Sequence, residues 1–181
     1  MSAARRSVAE RGFSLMEVMV SLVVMSAGLL GVAKMQALAL ASTQIASARS
    51  MAAIQAASLA SAMHEDRGYW GSVAPAAFAG GIVVTKTGVS STPTISASTL
   101  TGSTDCTAAA CTSTQLAGYD LQQWALALQQ VLPNYVTTIT CTAGSPVTCT
   151  ININWTEKAI SLMPAGANTQ ASPNYTLYVQ P

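Results

Sequence analysis

The chain has 181 residues and a formal net charge of +1, and only 8% of its residues are charged. So low a charge content is unusual for a soluble domain and is typical of a subunit that packs against other subunits over much of its surface. Beyond the first dozen positions the basic residues are scattered singly, so the sequence has no basic stripe of the kind that indicates nucleic-acid binding.

The N-terminus combines a short basic leader with a long apolar segment. The leader contains Arg5, Arg6 and Arg11, and residues 13–33 then contain a single charge, Glu17. A helix of that length rises about 30 Å at about 1.5 Å per residue, which is enough to cross the hydrocarbon core of a membrane. Because positive charge favours the cytoplasmic side, the leader is predicted inside and the rest of the chain outside.

The order of these features differs from that of an ordinary secretory signal, which is cleaved after its apolar stretch at small residues. Here the junction of Gly12 and Phe13 lies before the apolar stretch, so cleavage there would remove the leader and keep the helix. This N-terminus resembles that of the type IV pilin family. The resemblance implies that a prepilin peptidase cuts between Gly12 and Phe13 and that the new N-terminus, Phe13, is methylated.

Glu17 is the most informative residue of the apolar segment. A carboxylate inside an apolar span costs about 3 kcal/mol on insertion scales, so it normally has a partner. In the sequence after the leader no Lys or Arg lies within two helical turns of it. The α-amino group of Phe13, one turn away, is one candidate partner. The pilin resemblance implies another, the N-terminal amine of a neighbouring subunit, which makes Glu17 a subunit-assembly residue; the alternative is that Glu17 reaches the lipid headgroups.

The pilin resemblance also implies an α+β fold, in which a long N-terminal helix packs on a small antiparallel β-sheet domain with one further helix. Four segments are expected. They are a prepilin leader (1–12), a transmembrane and filament-core helix (13–34), the periplasmic half of that helix (35–67) and a periplasmic globular domain (68–181).

The periplasmic half of the long helix has a shallow, alanine-rich apolar stripe. Its main positions recur every seven residues at Leu38, Ile45, Ala52 and Leu59. Three further apolar residues are predicted near the same side: Met51, Ile54 and Met63. Gly68 is predicted to stop the helix.

Residues 69–114 are rich in turn-forming residues. The segment from Ile82 to Val84 predicts a short strand, whereas the run of Ser and Thr from Thr85 to Thr104 has no periodicity. We expect that run to form a long surface loop. Two interpretations of it remain open, plain flexibility and a variable contact surface.

Four cysteines follow the apolar segment, at positions 106, 111, 141 and 149. An even number of cysteines in an oxidising compartment indicates disulfides, and three pairings exist in principle. Proximity in the sequence favours Cys106–Cys111 and Cys141–Cys149. Zinc is the rival interpretation. The single histidine, His64, is far from these cysteines and their spacing is not C-x-x-C, so we expect neither a metal nor another cofactor.

Residues 115–132 are predicted to form a second helix that ends before Pro133. Its apolar positions follow helical spacing: Leu116, Leu121, Trp124, Ala125, Leu128 and Leu132. We expect Trp124 to anchor the core and Asp120 to act as a hydrogen-bonding cap or loop tie. A Cys-containing loop, the sequence D-L-x-x-W from Asp120 to Trp124, and a closing Leu-Pro together resemble the minor pilins within the type IV pilin family.

Residues 135–156 predict a β-hairpin around a turn at 143–146. Pairing residues whose numbers sum to 290 places Cys141 opposite Cys149 and Tyr135 opposite Trp155, a core residue. One register therefore satisfies every apolar pair and the second disulfide, provided that the cysteines form a closer, non-hydrogen-bonded pair. A loop over 157–174 and a last strand over 175–179 complete the prediction.

No catalytic constellation is evident, because the chain has one histidine and neither a G-x-S-x-G motif nor a phosphate-binding loop. We therefore do not expect an enzyme. The resemblance implies a minor pilin that helps initiate type IV pilus assembly and is incorporated at the tip or sparsely in the pilus. Its implied partners are other minor pilins, the major pilin, the inner-membrane assembly platform and the prepilin peptidase.

The implied location is the inner membrane, as a single-pass protein with a cytoplasmic N-terminus, and then the extracellular pilus. Roles in twitching motility and cell adhesion would follow from a place in the pilus. Two alternatives remain open, a minor pseudopilin of a type II secretion system and a pilus-tip adhesin or other binding module.

Overall fold

The structure is a computed structural model that describes residues 12, 14–72, 81–86, 92–102, 104–132, 134–158 and 170–181. The chain divides into two compact units, Met1–Ser42 and Thr43–Pro181. The first unit is helical from Leu15 onward. Among the described residues, the second unit contains all those buried in the core and all the strands.

Helix α1 spans Leu15–Glu65. It has no proline to interrupt it. It ends because Asp66 leaves the helical conformation (φ −99°, ψ 60°) and caps the short helix α2, Arg67–Trp70, by accepting from the Tyr69 N–H. The prediction that Gly68 stops the helix is wrong, since Gly68 lies inside α2. An aspartate that bonds to the backbone three residues on competes directly with helix continuation.

The later part of α1 buries one face in the second unit. Its buried residues are Ala52, Ala56, Leu59, Ala60 and Met63. Met51 and Ile54, which were predicted near the same side, are instead 40% and 57% exposed. The helix turns about 100° per residue, so Ile54 lies about 200° around the axis from Ala52. The buried stripe of α1 is therefore narrower than the sequence predicted, because it does not include Met51 and Ile54.

After α2 the chain forms two strands and a 3-10 turn, then one long helix, and then five strands. They are β1 (Ile82–Lys86), β2 (Thr94–Ile95), a 3-10 turn (Ser98–Leu100), α3 (Ser113–Val131), β3 (Tyr135–Cys141), β4 (Cys149–Trp155), β5 (Glu157–Lys158), β6 (Gln170–Ala171) and β7 (Asn174–Val179). Five strands form an antiparallel sheet in the order β2-β1-β3-β4-β7, and β5 pairs with β6. The pilin-like α+β fold expected from the sequence is confirmed.

Strands β3 and β4 have the register that the alternation predicted, from Tyr135 opposite Trp155 to Cys141 opposite Cys149. Alternate residues of both strands lie in the core, with Ile139 and Ile151 fully buried as a cross-strand pair. The other face carries threonine and asparagine, together with the exposed Val136. The sheet thus has one apolar face covered by helices and one polar face, as antiparallel sheets commonly do.

Helix α3 begins two residues before the predicted start because Thr112 and Gln115 form a capping box. Asp120, expected to be a cap or loop tie, lies well inside this helix, so its expected role as a cap is wrong. Two side-chain bonds fix the position of α3. The Trp124 indole donates to the carbonyl of Gln55 in α1 at 2.8 Å, and Tyr135 of β3 donates to the carbonyl of Ala125 at 2.9 Å.

The predicted surface loops contain more structure than expected. The segment 85–104 includes β2 and the 3-10 turn, and its Leu100 is fully buried. Gly118 of α3 approaches so closely that an added Cβ would lie 3.0 Å from the Leu100 carbonyl oxygen. Gln122 also donates to the carbonyls of Leu100 and Gly102, at 2.9 and 2.8 Å. The segment 157–174 likewise contains β5 and β6, so the loop prediction is wrong at both places.

Candidate assembly site

The first turn of α1 holds the residues that the sequence singled out. The Ser14 carbonyl accepts from the N–H groups of Glu17 and Val18 at 3.0 and 3.3 Å, which starts the helix. Gly12 is exposed, and Phe13, with its predicted cleavage and methylation, lies outside the described residues. The Glu17 side chain is exposed and makes no ion pair or hydrogen bond with the described part of the chain.

Serines in the apolar part of α1 satisfy their hydroxyls on the helix itself. Ser21 donates to the Glu17 carbonyl at 2.5 Å, and Ser26 donates to the Val23 carbonyl at 2.9 Å. Such bonds to the preceding turn let a serine lie in an apolar environment without an unsatisfied donor. Unlike these serines, Glu17 makes no hydrogen bond to the backbone of the described helix.

The surface of the first unit is apolar and uncovered. Leu15, Leu29 and Leu30 are each more than 70% exposed, and an 18-residue window of α1 has a mean hydropathy of 2.1 with none of it buried. Among the described residues, α1 is the one helix long and apolar enough to cross a membrane. Each exposed leucine forgoes about 2 kcal/mol of burial free energy in water. Lipid or other subunits are the environments that this surface fits.

Two glycines in the first unit lie open to close approach. A Cβ added at Gly28 or Gly31 would meet nothing within 4 Å. Small residues let the backbones of membrane helices come close, at a cost of about 1 kcal/mol each in helix propensity relative to alanine. The surface near them can therefore accept a neighbouring helix as well as lipid.

Residues 8–33 match the family model described as the prokaryotic N-terminal methylation motif. This match supports a type IV pilin-like protein. The motif implies processing by a prepilin peptidase and assembly in a pilus, and together with the apolar helix it fits membrane anchoring. It also favours a structural rather than an enzymatic protein. No curated protein and no solved structure matches the chain.

Both disulfides that sequence proximity favoured are present. Cys141 and Cys149 lie opposite each other at the turn end of the β3–β4 hairpin, with 4.0 Å between their Cα atoms. The next pair is hydrogen-bonded, since the Thr142 N–H donates to the Thr148 carbonyl at 2.8 Å. The cysteine pair is therefore of the closer, non-hydrogen-bonded kind. The second bridge joins Cys106 and Cys111 just before α3, with a Cα separation of 5.6 Å.

The two tryptophans expected in the core are both buried, with Trp124 6% and Trp155 5% exposed. Trp155 has a further role that the sequence did not indicate. Its indole donates to Oε1 of Glu157 at 3.1 Å, and Arg49 of α1 binds the same carboxylate with two bonds of 3.1 and 3.2 Å. Glu157 is only 7% exposed, so these donors compensate a buried charge. The Trp-x-Glu spacing is a local sequence signal for the bond between Trp155 and Glu157. No such signal exists for Arg49, which is 108 residues from Glu157 in the chain.

A second missed feature is a pair of partly buried carboxylates where α1 ends against α3. Asp66 is 5% exposed, and its Oδ2 has no hydrogen-bond partner among the described residues. Burial raises the pKa of Asp66, which the hydrogen bond from the Tyr69 N–H offsets only in part. Burial also raises the pKa of Asp120, and the charges of Asp66 and Glu65 raise it further. Within the described residues no three metal-ligating side chains come together, here or elsewhere.

Proposed function

We propose that this protein is a minor pilin similar to PilV, the type IV pilus modification protein, and that it helps to initiate pilus assembly. The observation that carries the proposal is an exposed apolar helix that has Glu17 in its first turn. This helix begins directly after the Gly12–Phe13 junction of a methylation motif. A pilus subunit uses such a segment at two stages. The segment first anchors the subunit in the membrane and later packs it among the other subunits.

Removal of the leader is the first step of the proposed mechanism. Cleavage after Gly12 creates an α-amino group on Phe13, one helical turn from Glu17. In the membrane, Glu17 is an uncompensated carboxylate that costs about 3 kcal/mol. Pairing with the amine of a neighbouring subunit neutralises two charges at once and sets the axial register between the two subunits. Residues 13–34 then lie in the filament core, and residues 68–181, with the half-helix 35–67 behind them, lie on the outside.

The minor-pilin assignment is supported by the second unit. The Cys106–Cys111 bridge lies directly before α3, which carries the D-L-x-x-W sequence with Trp124 in the core. This arrangement is the second point of resemblance to PilV-type subunits. The proposed partners are other minor pilins, the major pilin, the inner-membrane assembly platform and the prepilin peptidase. The subunit is then incorporated at the tip or sparsely along the pilus.

Gene deletion tests the priming role. Surface pili are counted in the deletion strain and again with retraction blocked by removal of the retraction motor. We expect few pili in the first strain and recovery in the second, because priming shifts the balance between assembly and retraction. Normal piliation in both strains would contradict the proposal. Loss of protein secretion alone would then indicate a type II pseudopilin, and loss of adhesion alone a tip adhesin.

A further inference from the structure

The polar face of the five-stranded sheet has no charged side chain among its described residues, from Thr94 of β2 to Tyr178 of β7. It is formed by the residues that alternate with the core residues along the strands, and these are threonine, asparagine, valine and one tyrosine. Nucleic acids, anionic lipids and charged peptides are bound through opposite charges, which this face lacks. The partner that its chemistry fits is therefore uncharged and rich in hydrogen-bonding groups.

The sheet register sets these polar side chains in rows across the strands. Asn154 lies opposite Asn174 in one row, and Asn152 lies opposite Thr176 in the next. The Asn154 amide donates to Oδ1 of Asn152 at 2.5 Å, and the Asn152 amide donates to the Thr176 hydroxyl at 2.6 Å. These bonds hold the amides in one orientation and leave the Thr176 O–H as a donor, and Oδ1 of Asn154 as an acceptor, toward a ligand. Groups that are fixed in advance lose less entropy when a ligand binds.

A cleft of about 170 Å³ lies at one end of the polar face. Its lining includes Val136 and Asn154 of the face itself, together with Thr156 and Ser172, which are both exposed. Apolar walls with a few amide and hydroxyl groups are typical of small-molecule sites. An engineered protein cavity of about 150 Å³ binds benzene, so this cleft has room for one six-membered ring.

Tyr178 provides an exposed aromatic ring further along the same face. It follows Asn174 by four residues on β7, about 14 Å along the strand, and it is 78% exposed. An aromatic ring packs well against the C–H groups on one side of a pyranose ring, while the sugar hydroxyls need amides and hydroxyls as partners. The cleft, the pair of Asn152 with Thr176, and Tyr178 therefore follow one another along β4 and β7 as contacts for successive sugar rings.

We propose that the polar face binds a neutral polysaccharide outside the cell, with one pyranose ring in the cleft beside Asn154 and the glycan chain running along β4 and β7 to Tyr178. Such a glycan carries no charge, has donors and acceptors on every ring and has apolar ring faces, so it matches the chemistry of this face at each point. A peptidoglycan strand, which carries ionised peptides, does not. In the proposed pilus residues 68–181 lie on the outside, where the face is within reach of such a polymer.

Titration calorimetry with the full chain in phosphatidylcholine nanodiscs tests the proposal, with empty nanodiscs as the control. The probes are linear hexasaccharides of glucose, mannose and N-acetylglucosamine, which are neutral, and of galacturonate and glucosamine, which are charged. We expect at least one neutral probe to bind at millimolar concentration or below, and the charged probes to bind at least tenfold more weakly, because the face offers no counter-charge. Failure of all three neutral probes would leave the face to solvent or to another subunit and would overturn the proposal, as would equal binding of the charged probes.

Two pairs of substitutions locate the ligand on the face. Tyr178→Ala removes the aromatic ring and should weaken binding at least tenfold, whereas Tyr178→Phe keeps the ring and should retain binding. Ser172→Trp fills the cleft and should abolish binding, whereas Ser172→Ala leaves the cleft open. Both positions are exposed, so circular dichroism should show the same fold in all four variants. Full binding by Tyr178→Ala or by Ser172→Trp would overturn the proposal. The isolated chain is used throughout, so no outcome depends on the pilus-priming role.

Discussion

The Trp124 indole donates a 2.8 Å hydrogen bond to the main-chain carbonyl of Gln55, 69 residues earlier in the chain. This bond joins α3 to α1 inside the second unit, where Trp124 is 6% exposed. We expect Trp124→Phe to lower the free energy of unfolding of the globular unit by about 2–3 kcal/mol, because it removes both the hydrogen bond and part of a buried ring. Denaturant unfolding followed by circular dichroism measures it.

The control for that substitution lies next to Trp124 on the same helix. Gln123 is exposed, so Gln123→Ala should change the free energy of unfolding by less than about 0.5 kcal/mol. Equal effects of the two substitutions would contradict the view that Trp124 fixes α3 against α1.

The disulfide between Cys141 and Cys149 closes the loop between β3 and β4. In the chain-entropy account, a loop of this size contributes about 2–3 kcal/mol by restricting the unfolded chain. We expect the double substitution Cys141→Ala with Cys149→Ala to cost about that much, measured as the free energy of unfolding. The pair Cys106→Ala with Cys111→Ala closes a shorter loop and should cost less. A larger loss from the shorter loop would show that loop closure is not the dominant effect.

The sequence predicted those parts of the fold whose signal is local and periodic. Alternation over β3 and β4, together with a disulfide predicted between Cys141 and Cys149, predicted the register to the residue, and the apolar run predicted a helix where α1 begins. Leu100 was missed because a single apolar residue among serines and threonines has no period. Leu100 can pack closely against α3 because Gly118 has no side chain. The two residues are 18 positions apart, and only the fold brings them together.

Some features of the candidate site were likewise predictable from the sequence, and others were not. Glu17 was recognisable because a carboxylate in an apolar run is conspicuous in any sequence. The ion pair of Arg49 with Glu157 was not predictable, because nothing in either local sequence specifies a partner 108 residues away. Asp66 and Asp120 were missed as a pair for the same reason, since their proximity is a product of how α3 packs against the end of α1.

The buried carboxyl of Asp66 makes stability depend on pH in a predictable direction. Its pKa is raised in the folded protein, so the unfolded chain releases this proton at lower pH. The contribution of Asp66 to stability is therefore greatest below about pH 4, where the group is protonated in both states, and it is lost as the pH rises through the folded pKa. We expect Asp66→Asn to stabilise the protein by about 1 kcal/mol at pH 7, because the amide keeps the bond to Tyr69 without a buried charge.

That gain should shrink as the pH is lowered, which thermal unfolding at several pH values measures. Asp105 provides a control of opposite sign. Hydrogen bonds from the Thr107 side chain and N–H lower the pKa of Asp105, so its contribution is present at neutral pH and is lost in acid. We expect Asp105→Asn to give no gain at pH 7. A gain from Asp66→Asn that is independent of pH would contradict the burial of a charge as its cause.

Glu17 provides the most direct test of assembly. We expect Glu17→Gln to leave membrane insertion and leader cleavage intact, since glutamine is similar in shape and less costly to bury. Incorporation into sheared pili should fall at least about tenfold, because the amine of the neighbouring subunit then lacks its counter-charge and an unpaired buried charge costs several kcal/mol. Immunoblots of pilus and membrane fractions measure the ratio, and the chain mass reports cleavage after Gly12. Ser21→Ala, one turn further along the same face, should be incorporated normally. Full incorporation of the glutamine variant would show that Glu17 does not pair with a neighbouring subunit.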